Sequence, residues 1–250
     1  MKEMAVVILA AGQGTRMKSD KAKVLHELCG RPLICHVIDC ARPLGAERIV
    51  VIVGHQADEV KKAVAENMPG VRISYALQTV RLGTGHAVMA AKDALEGFSG
   101  DVLILSGDVP LLRTETLEKF IGDHGTEHAD LSVLTFNPQD PQNYGRIIRG
   151  PSGELLANVE KRDASPEQLA IREVNSGIYI VDKDLLFRLL SQVKNENDQK
   201  EYYLTDIIAL AVAQGRKCRA QSLDDPAEAQ GINTIEELVR TEEIMKRRTQ

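Results

Sequence analysis

The usual markers of secretion, metal scaffolding and nucleic-acid binding are missing from this chain. It carries four cysteines in 250 residues, Cys29, Cys35, Cys40 and Cys218. None forms a Cys-x-x-Cys pair or stands beside a histidine pattern, which argues against a zinc framework and leaves reduced thiols packed as small hydrophobes. No apolar run approaches the ~18 residues that a membrane-spanning helix requires. The opening stretch MKEMAVVILAAGQG has an apolar core of only seven residues, too thin for a secretory leader. A cytoplasmic protein is the expectation. Cationic excess is absent too: 31 Lys and Arg face 36 Asp and Glu, a formal net charge of −5, with the two signs interspersed. That distribution weakens any case for a nucleic-acid surface, so an anionic ligand must be met by a local cluster of cations. No internal repeat occurs, and in particular no hexapeptide β-helix pattern.

What is present reads as an α/β protein. A chain of this length can bury roughly 70–75% of its unfolded surface without staples, and α/β folds of this size often remain single. Apolar, β-rich runs recur at Ala5–Ala10, Ile49–Val53, Val102–Leu105, Leu131–Phe136 and Ile178–Val181. The first three are continuous, as in strands covered on both faces. Amphipathic stretches lie between them: Leu33–Ala41 after Pro32, Ala57–Asn67, His86–Leu95 with Thr84 as N-cap, and Glu115–His124 with Thr114 as N-cap. Strand then helix, repeated, predicts a doubly wound, mostly parallel, Rossmann-like sheet. The turn-rich 137–154, with Ile147–Ile148 and Leu155–Val159 around Pro151-Ser152-Gly153, predicts a small β insertion over the sheet. Segment 191–203 reads as an exposed loop. Residues 234–250 read as a C-terminal amphipathic helix with Ile235, Leu238, Val239 and Ile244 on one stripe, set apart from a domain spanning 1–233.

Directly after the first strand comes Gly12-Gln13-Gly14-Thr15-Arg16-Met17, with Lys18, Lys21 and Lys23 following. It is not a Walker loop, which ends in Gly-Lys-Ser/Thr. Nor is it a dinucleotide fingerprint, which requires a third glycine where Met17 stands. Two readings stay open on the residues alone: an ordinary basic turn, or a loop whose backbone N–H groups and Arg16 fork wrap phosphate.

The longer strings resemble a known family. LAAGQGTRM (9–17) followed by KVLHELCGRPL (23–33) resembles the opening of the sugar-1-phosphate nucleotidyltransferases. LQTVRLGTGHAV (77–88), LSGDVPLL (105–112), NYGRI (143–147), VEKRDAS (159–165), EVNSGIY (173–179), EYYLTDII (201–208) and QGINT (230–234) then follow in order. This set is similar to the uridyltransferase domain of the bacterial bifunctional N-acetylglucosamine-1-phosphate uridyltransferases, and it covers nearly the whole chain. The resemblance implies joining of UTP and N-acetylglucosamine-1-phosphate with release of pyrophosphate. In that reaction the sugar phosphate attacks the α-phosphorus in line, so catalysis is mainly alignment and charge neutralisation. No covalent nucleophile is required.

The same resemblance implies roles for individual residues. Arg16 goes to the triphosphate, and Lys23 to the phosphates at the reacting centre. Leu9, Ala10, Ala11, Gly12 and Gly14 would line the nucleoside and phosphate loop. Gln78, Gly83 and Thr84 would read uracil. Gln78 alone could flip its amide to suit either pyrimidine, so backbone groups near Gly12 or Gly83 are expected to discriminate most. Asp108, with Ser106 and Gly107 before it, and Asn233 match the family's Mg²⁺ ligands, two hard oxygen donors that leave room for water and phosphate. Gly145, Glu160, Asn175, Tyr203 and Thr205 match positions that contact the sugar. His36 and His86 fit no metal set and read as structural. Two departures touch the sugar side: Ser106 stands where tyrosine is common and Ser176 where threonine is common. Alternatives therefore remain: a nucleotidyltransferase for glucose- or galactosamine-type phosphates, or a nucleotide-sugar-binding regulator without turnover. In the bifunctional relatives the chain continues into a trimeric β-helix that acetylates glucosamine-1-phosphate. That activity and that route to trimers are expected to be absent from these residues, and nothing in the sequence sets an oligomeric state.

Overall fold

A computed structural model describes residues 3–141 and 144–248; Asn143 of the NYGRI string lies outside the described residues. In chain order the elements are β1 (Met4–Ala10), the short strands β2 (Glu27–Leu28) and β3 (Arg31–Pro32), α1 (Leu33–Ala41), β4 (Arg48–Val53), α2 (Ala57–Asn67), β5 (Ser74–Leu77), α3 (Thr84–Ala90), β6 (Asp101–Ser106) and α4 (Thr114–Thr126). There follow β7 (Leu131–Phe136), β8 (Arg146–Arg149), β9 (Leu155–Val159), α5 (Pro166–Leu169), β10 (Val174–Asp182), α6 (Lys183–Leu190), α7 (Asp206–Ala213), β11 (Cys218–Ser222) and α8 (Ile235–Arg248). The main sheet runs β11-β7-β10-β6-β1-β4-β5, with the β8–β9 hairpin attached to β10. β1 pairs in parallel with both β4 and β6, while β10 is antiparallel to β6 and β7.

The continuous apolar runs are explained by two cores, one on each face. Val7, Val50, Ile104 and Val133 meet Val88, Leu186 and Ile207 of α3, α6 and α7. Ile8, Val51, Leu103 and Leu105 meet Ile38, Val60 and Phe120 of α1, α2 and α4. Each such side chain, fully withdrawn from water, contributes roughly 1.5–3 kcal/mol. Because the chain adds β4 and β5 on one side of β1 and then crosses back to place β6 on the other, the carboxyl end of β1 is a switch point where a crevice opens. The expected β insertion is the β8–β9 hairpin.

Several local expectations are corrected. β5 and β11 were not anticipated. The helix expected over His86–Leu95 starts earlier, at Thr84, and ends at Ala90, a separate 3₁₀ turn covering Asp93–Leu95. Thr84 is not its cap: the Thr84 hydroxyl accepts the Leu204 N–H at 3.0 Å, tying the loop before α7 to α3. Thr114 likewise belongs to its helix and donates to the Cys40 carbonyl at 3.0 Å. On α8, Ile235 and Val239 are exposed, whereas Leu238 and Met245 pack on Met17, Leu28, Leu33 and Ile232. The helix is rotated so that Thr241, 3% exposed, faces inward, its hydroxyl satisfied by the Glu237 carbonyl at 2.7 Å.

All four cysteines are free. Burial pushes the thiol of Cys35 up to about 11 and that of Cys40 up to about 12, which fits packing rather than reactivity. Among the described residues no helix is long and apolar enough to cross a membrane.

Candidate active site

At the carboxyl ends of β1, β5 and β6 lies a cleft of about 350 Å³, lined in part by Leu9, Ala10, Ala11, Gly12, Lys23, Gln78, Gly83, Thr84, Ser106 and Asp108. Backbone bonds fix its floor. The Gly107 N–H reaches the Leu9 carbonyl at 2.9 Å, and a Cβ on Gly107 would stand 2.9 Å from that oxygen and 3.0 Å from Ile34. Gly14 adopts φ +73°, and a Cβ there would meet the Lys23 Cβ at 2.5 Å. Glycine at 14 therefore lets the phosphate-loop backbone lie against the lysine that follows it.

At one end of the cleft, oxygens converge on a cation. Lys23 Nζ is bonded to Asp108 Oδ2 and donates to Asn233 Oδ1 at 3.0 Å. Arg16 Nη2 donates to the same Asn233 oxygen at 2.9 Å. Residues 16, 23, 108 and 233, far apart in the chain, thus meet at one point. Lys23 and Asp108 are both mostly withdrawn from water, with side chains 17% and 15% exposed.

Sequence reading missed the devices that bring Asn233 there. Glu228, 1% exposed, accepts the Arg113 N–H at 3.1 Å, Arg113 Nε at 2.8 Å and the Thr116 hydroxyl at 2.6 Å, and pairs with Arg113 Nη2 as well. Removing one partner from such a buried charge typically costs about 3–5 kcal/mol, so this anchor holds the segment leading to Gly231. The Ile232 N–H then bonds the Asp108 carbonyl at 3.0 Å. Glu237 Oε2 accepts the N–H of Asn233 at 2.5 Å and of Thr234 at 3.1 Å, while the Thr234 hydroxyl accepts the Glu237 N–H at 3.1 Å. This is a capping box at the start of α8; the Thr-x-x-Glu spacing was the signal that could have revealed it. Tyr144 stacks edge-on against Phe136 and receives the Gly231 N–H; burial, with Glu237 and Asp108 nearby, pushes its phenol up to about 12.

Elsewhere in the cleft, Gln78 is 5% exposed, and its amide is held by two partners. Nε2 donates to the Gly83 carbonyl at 3.1 Å and lies 3.1 Å from His86 Nδ1, taken here as the acceptor. With both hydrogens engaged, Oε1 is left as the free acceptor. His86 is thus structural, as expected, and its task is to orient Gln78. Gly83 at φ +103° would drive a Cβ to 2.6 Å from the Tyr202 carbonyl.

Gly145, Glu160, Asn175, Tyr203 and Thr205 do not line that cleft; they form a second, connected group. The Asn175 N–H bonds the Gly145 carbonyl at 3.0 Å. The amide of Asn158 lies so close under Gly145 that a Cβ there would stand 2.5 Å from it, and it donates to Glu160 Oε1 at 3.0 Å. Burial raises the Glu160 carboxyl, opposed by the nearby Thr205 hydroxyl and Asn158 amide. Asp206 is pushed up to about 6, by burial first and then by Glu160 and Asp163. Asn158 Oδ1 and the Tyr203 and Thr205 hydroxyls are buried in this group, polar atoms suited to a polyhydroxyl ligand. The Asn175 side chain is already engaged at both ends, by the Tyr179 hydroxyl at 2.6 Å and the Gly177 N–H at 2.9 Å. Ser176 does not touch the sugar side: its hydroxyl donates to the Leu134 carbonyl at 2.7 Å and accepts the Ile178 N–H at 3.1 Å inside the sheet. Of the two departures, only Ser106 faces the cleft.

Residues 6–176 match the MobA-like NTP transferase domain. The chain belongs to that family. Among curated relatives, the Bifunctional protein GlmU of Geobacter metallireducens is 46% identical over 248 residues, covering 99% of this chain and 52% of that protein. The protein of the same name from Syntrophotalea carbinolica is 47% identical over 246 residues, covering 98% of this chain and 52% of that one. The chain therefore spans about half the length of these relatives. A solved structure, UDP-glucose pyrophosphorylase complexed with UDP-glucose, superposes with a TM-score of 0.78 over 98% of this chain and 99% of its own, at 18% identity. That likeness establishes the nucleotide-diphospho-sugar transferase architecture, and with it the mostly parallel sheet expected from the sequence.

Proposed function

We propose that this chain joins UTP to N-acetylglucosamine-1-phosphate, giving UDP-N-acetylglucosamine and pyrophosphate. The observation that carries the proposal is the convergence of Arg16, Lys23, Asp108 and Asn233 at one end of a cleft whose other end presents an oriented amide. Gln78 Oε1 suits the N3–H of uracil, while cytosine offers an acceptor at that position and would leave the buried amide oxygen unpaired. Pinning by Gly83 and His86 lets Gln78 itself discriminate between the pyrimidines, beyond what the sequence reading assigned to it.

The donor set at the reacting end suits a divalent cation. Asp108 Oδ2 and Asn233 Oδ1 are hard oxygens directed at one point, now marked by the Lys23 ammonium. Among the described residues no group of three or more His, Cys, Asp or Glu side chains is placed to hold a metal ion; an ion here would draw its remaining ligands from water and phosphate, the habit of Mg²⁺. Asp108 and Asn233 would hold it, and when bound it supplies charge neutralisation at the phosphates. Lys23 and Arg16 provide fixed positive charge that strengthens as charge builds on the departing pyrophosphate. The loop at 12–16 holds the triphosphate with backbone N–H groups, and the second polar group, around Glu160, receives the sugar hydroxyls. Alignment of the sugar phosphate with the α-phosphorus contributes the remaining acceleration.

A second acceptor is favoured by one observation: Ser106, small and hydroxylic, faces the cleft where a tyrosine is common. Pyrophosphate release with UTP and a panel of sugar-1-phosphates tests both readings. N-acetylglucosamine-1-phosphate is expected to lead. Preference for glucose- or galactosamine-1-phosphate would move the acceptor, and silence with every sugar would refute the enzyme.

A further inference from the structure

The charged groups lining the cleft are Lys23 and Arg81 against Asp108 and Glu201. They balance, and Lys23 is already neutralised by Asp108. A polyanionic ligand entering such a cleft meets little net attraction from these residues unless one cation is uncommitted. Arg81 is one such cation, beside Arg16, whose partner is the neutral Asn233 amide oxygen. Arg81 Nη1 donates to Gln13 Oε1 at 2.6 Å, a neutral partner, and among the described residues no carboxylate lies within ion-pair distance of it. Elsewhere in the molecule several arginines are held by acids: Arg149 by Glu173, Arg219 by Glu127, Arg248 by Asp225. Position matters as well as charge. Arg81 belongs to the segment between β5 and α3 that carries Gln78 and Gly83, and Gln13 sits between Gly12 and Gly14 in the phosphate loop. The side chain therefore spans the mouth from the nucleobase wall to the phosphate wall.

We propose that Arg81 is a nucleotide-binding residue whose guanidinium leaves the Gln13 amide and forks onto the phosphate tail of the incoming nucleoside triphosphate, closing the mouth of the cleft over it. The inference rests on the reading above that the cleft takes a nucleoside triphosphate. Exchange of a single bond to a neutral amide for paired bonds to phosphate is favourable because the acceptor is then charged as well as the donor and the guanidinium fork matches phosphate oxygens. Gln13 is then a resting partner, released when the nucleotide arrives.

Binding to the 250-residue chain in the presence of Mg²⁺ tests this, with UTP followed by calorimetry and uridine by ligand-observed NMR. Arg81→Gln is expected to weaken UTP about tenfold, the loss of a charged hydrogen bond, and to leave uridine unchanged. Gln13→Ala is expected to keep UTP within about twofold of wild type or to tighten it, since a competing partner is gone. Unchanged UTP affinity in Arg81→Gln overturns the proposal, as does an equal loss for uridine, which would make Arg81 part of the base wall. A loss in Gln13→Ala matching that in Arg81→Gln also overturns it, because the pair would then be a structural strap. Wild-type protein that fails to bind UTP overturns the nucleotidyltransferase reading together with this one; wild-type binding with an unaffected Arg81→Gln overturns this one alone.

Discussion

The two groups of candidate site residues are made of different materials. The half proposed for the nucleotide sits where parallel strands end, and much of it is backbone and apolar side chains: Leu9, Ala10, Ala11, Gly12, Gly83 and Gly107, with the Gly107 N–H on the Leu9 carbonyl. The half proposed for the acceptor rests on the β8–β9 hairpin, the reversed strand β10 and the start of α7, and consists of carboxylates, amides and hydroxyls. Its Tyr203 and Thr205 hydroxyls and Asn158 Oδ1 are buried, and its acids Glu160 and Asp206 are raised by burial. The first group, mostly backbone, presents fixed surfaces, with Arg81 exchanging Gln13 for phosphate under the proposal above. The second offers carboxylates, amides and hydroxyls that a polyhydroxyl ligand can engage. On that reading, affinity for the nucleotide and choice of the sugar are separated along the polypeptide.

The largest expected effect lies where the nucleotide half meets the reacting phosphates. Asp108→Ala should lower Mg²⁺-dependent pyrophosphate release by about a thousandfold with an unchanged circular dichroism spectrum; near-normal rates would remove Asp108 from the ion's ligands. A smaller and selective effect is expected in the acceptor half. Glu160→Gln should raise KM for the sugar-1-phosphate about tenfold while KM for UTP stays constant, and parallel increases in both would erase the division between the halves.

The smallest effect concerns stability. Asp206, at about 6 in the folded protein, binds its proton more tightly than in the unfolded chain, where a carboxyl titrates near about 4. Its favourable contribution is complete below about 4 and is lost as pH rises through about 6. Asp206→Asn should therefore raise Tm at pH 7.5 and leave it nearly unchanged at pH 4. An equal gain at both values, read by calorimetry, would show that burial of this carboxyl is not the cause.

Much of the framework was legible because it depends on local pattern. Continuous runs such as Ala5–Ala10 carry two-sided burial in their own composition, and Asp108 follows a strand within an ordered string of motifs. Edge strands were not: β5 is Ser-Tyr-Ala-Leu with Leu77 54% exposed, and β11 is Cys-Arg-Ala-Gln-Ser, too polar or too short for an apolar signal. The stripe on α8 was misassigned because Thr241 conceals its polarity by bonding the Glu237 carbonyl, so hydrophobicity alone points to the wrong face. Residues that act across long sequence separations left the least trace. Glu228 with Arg113, Arg81 with Gln13 and Gln78 oriented by His86 are juxtapositions created by folding. Asp206 stood inside a recognised string, yet its environment is set by Glu160 and Asp163 from another segment.

Asn233 closes an arrangement that begins at residue 9, and this has a consequence for biosynthesis. A ribosome must release the polypeptide through residue 233 before the oxygen pair at positions 108 and 233 exists, and β10 must arrive before β6 and β7 share a sheet. Domains mature as units; on the function proposed above, a nascent fragment that ends ahead of Asn233 lacks the oxygen pair, and a cut there would remove it while sparing most of the core.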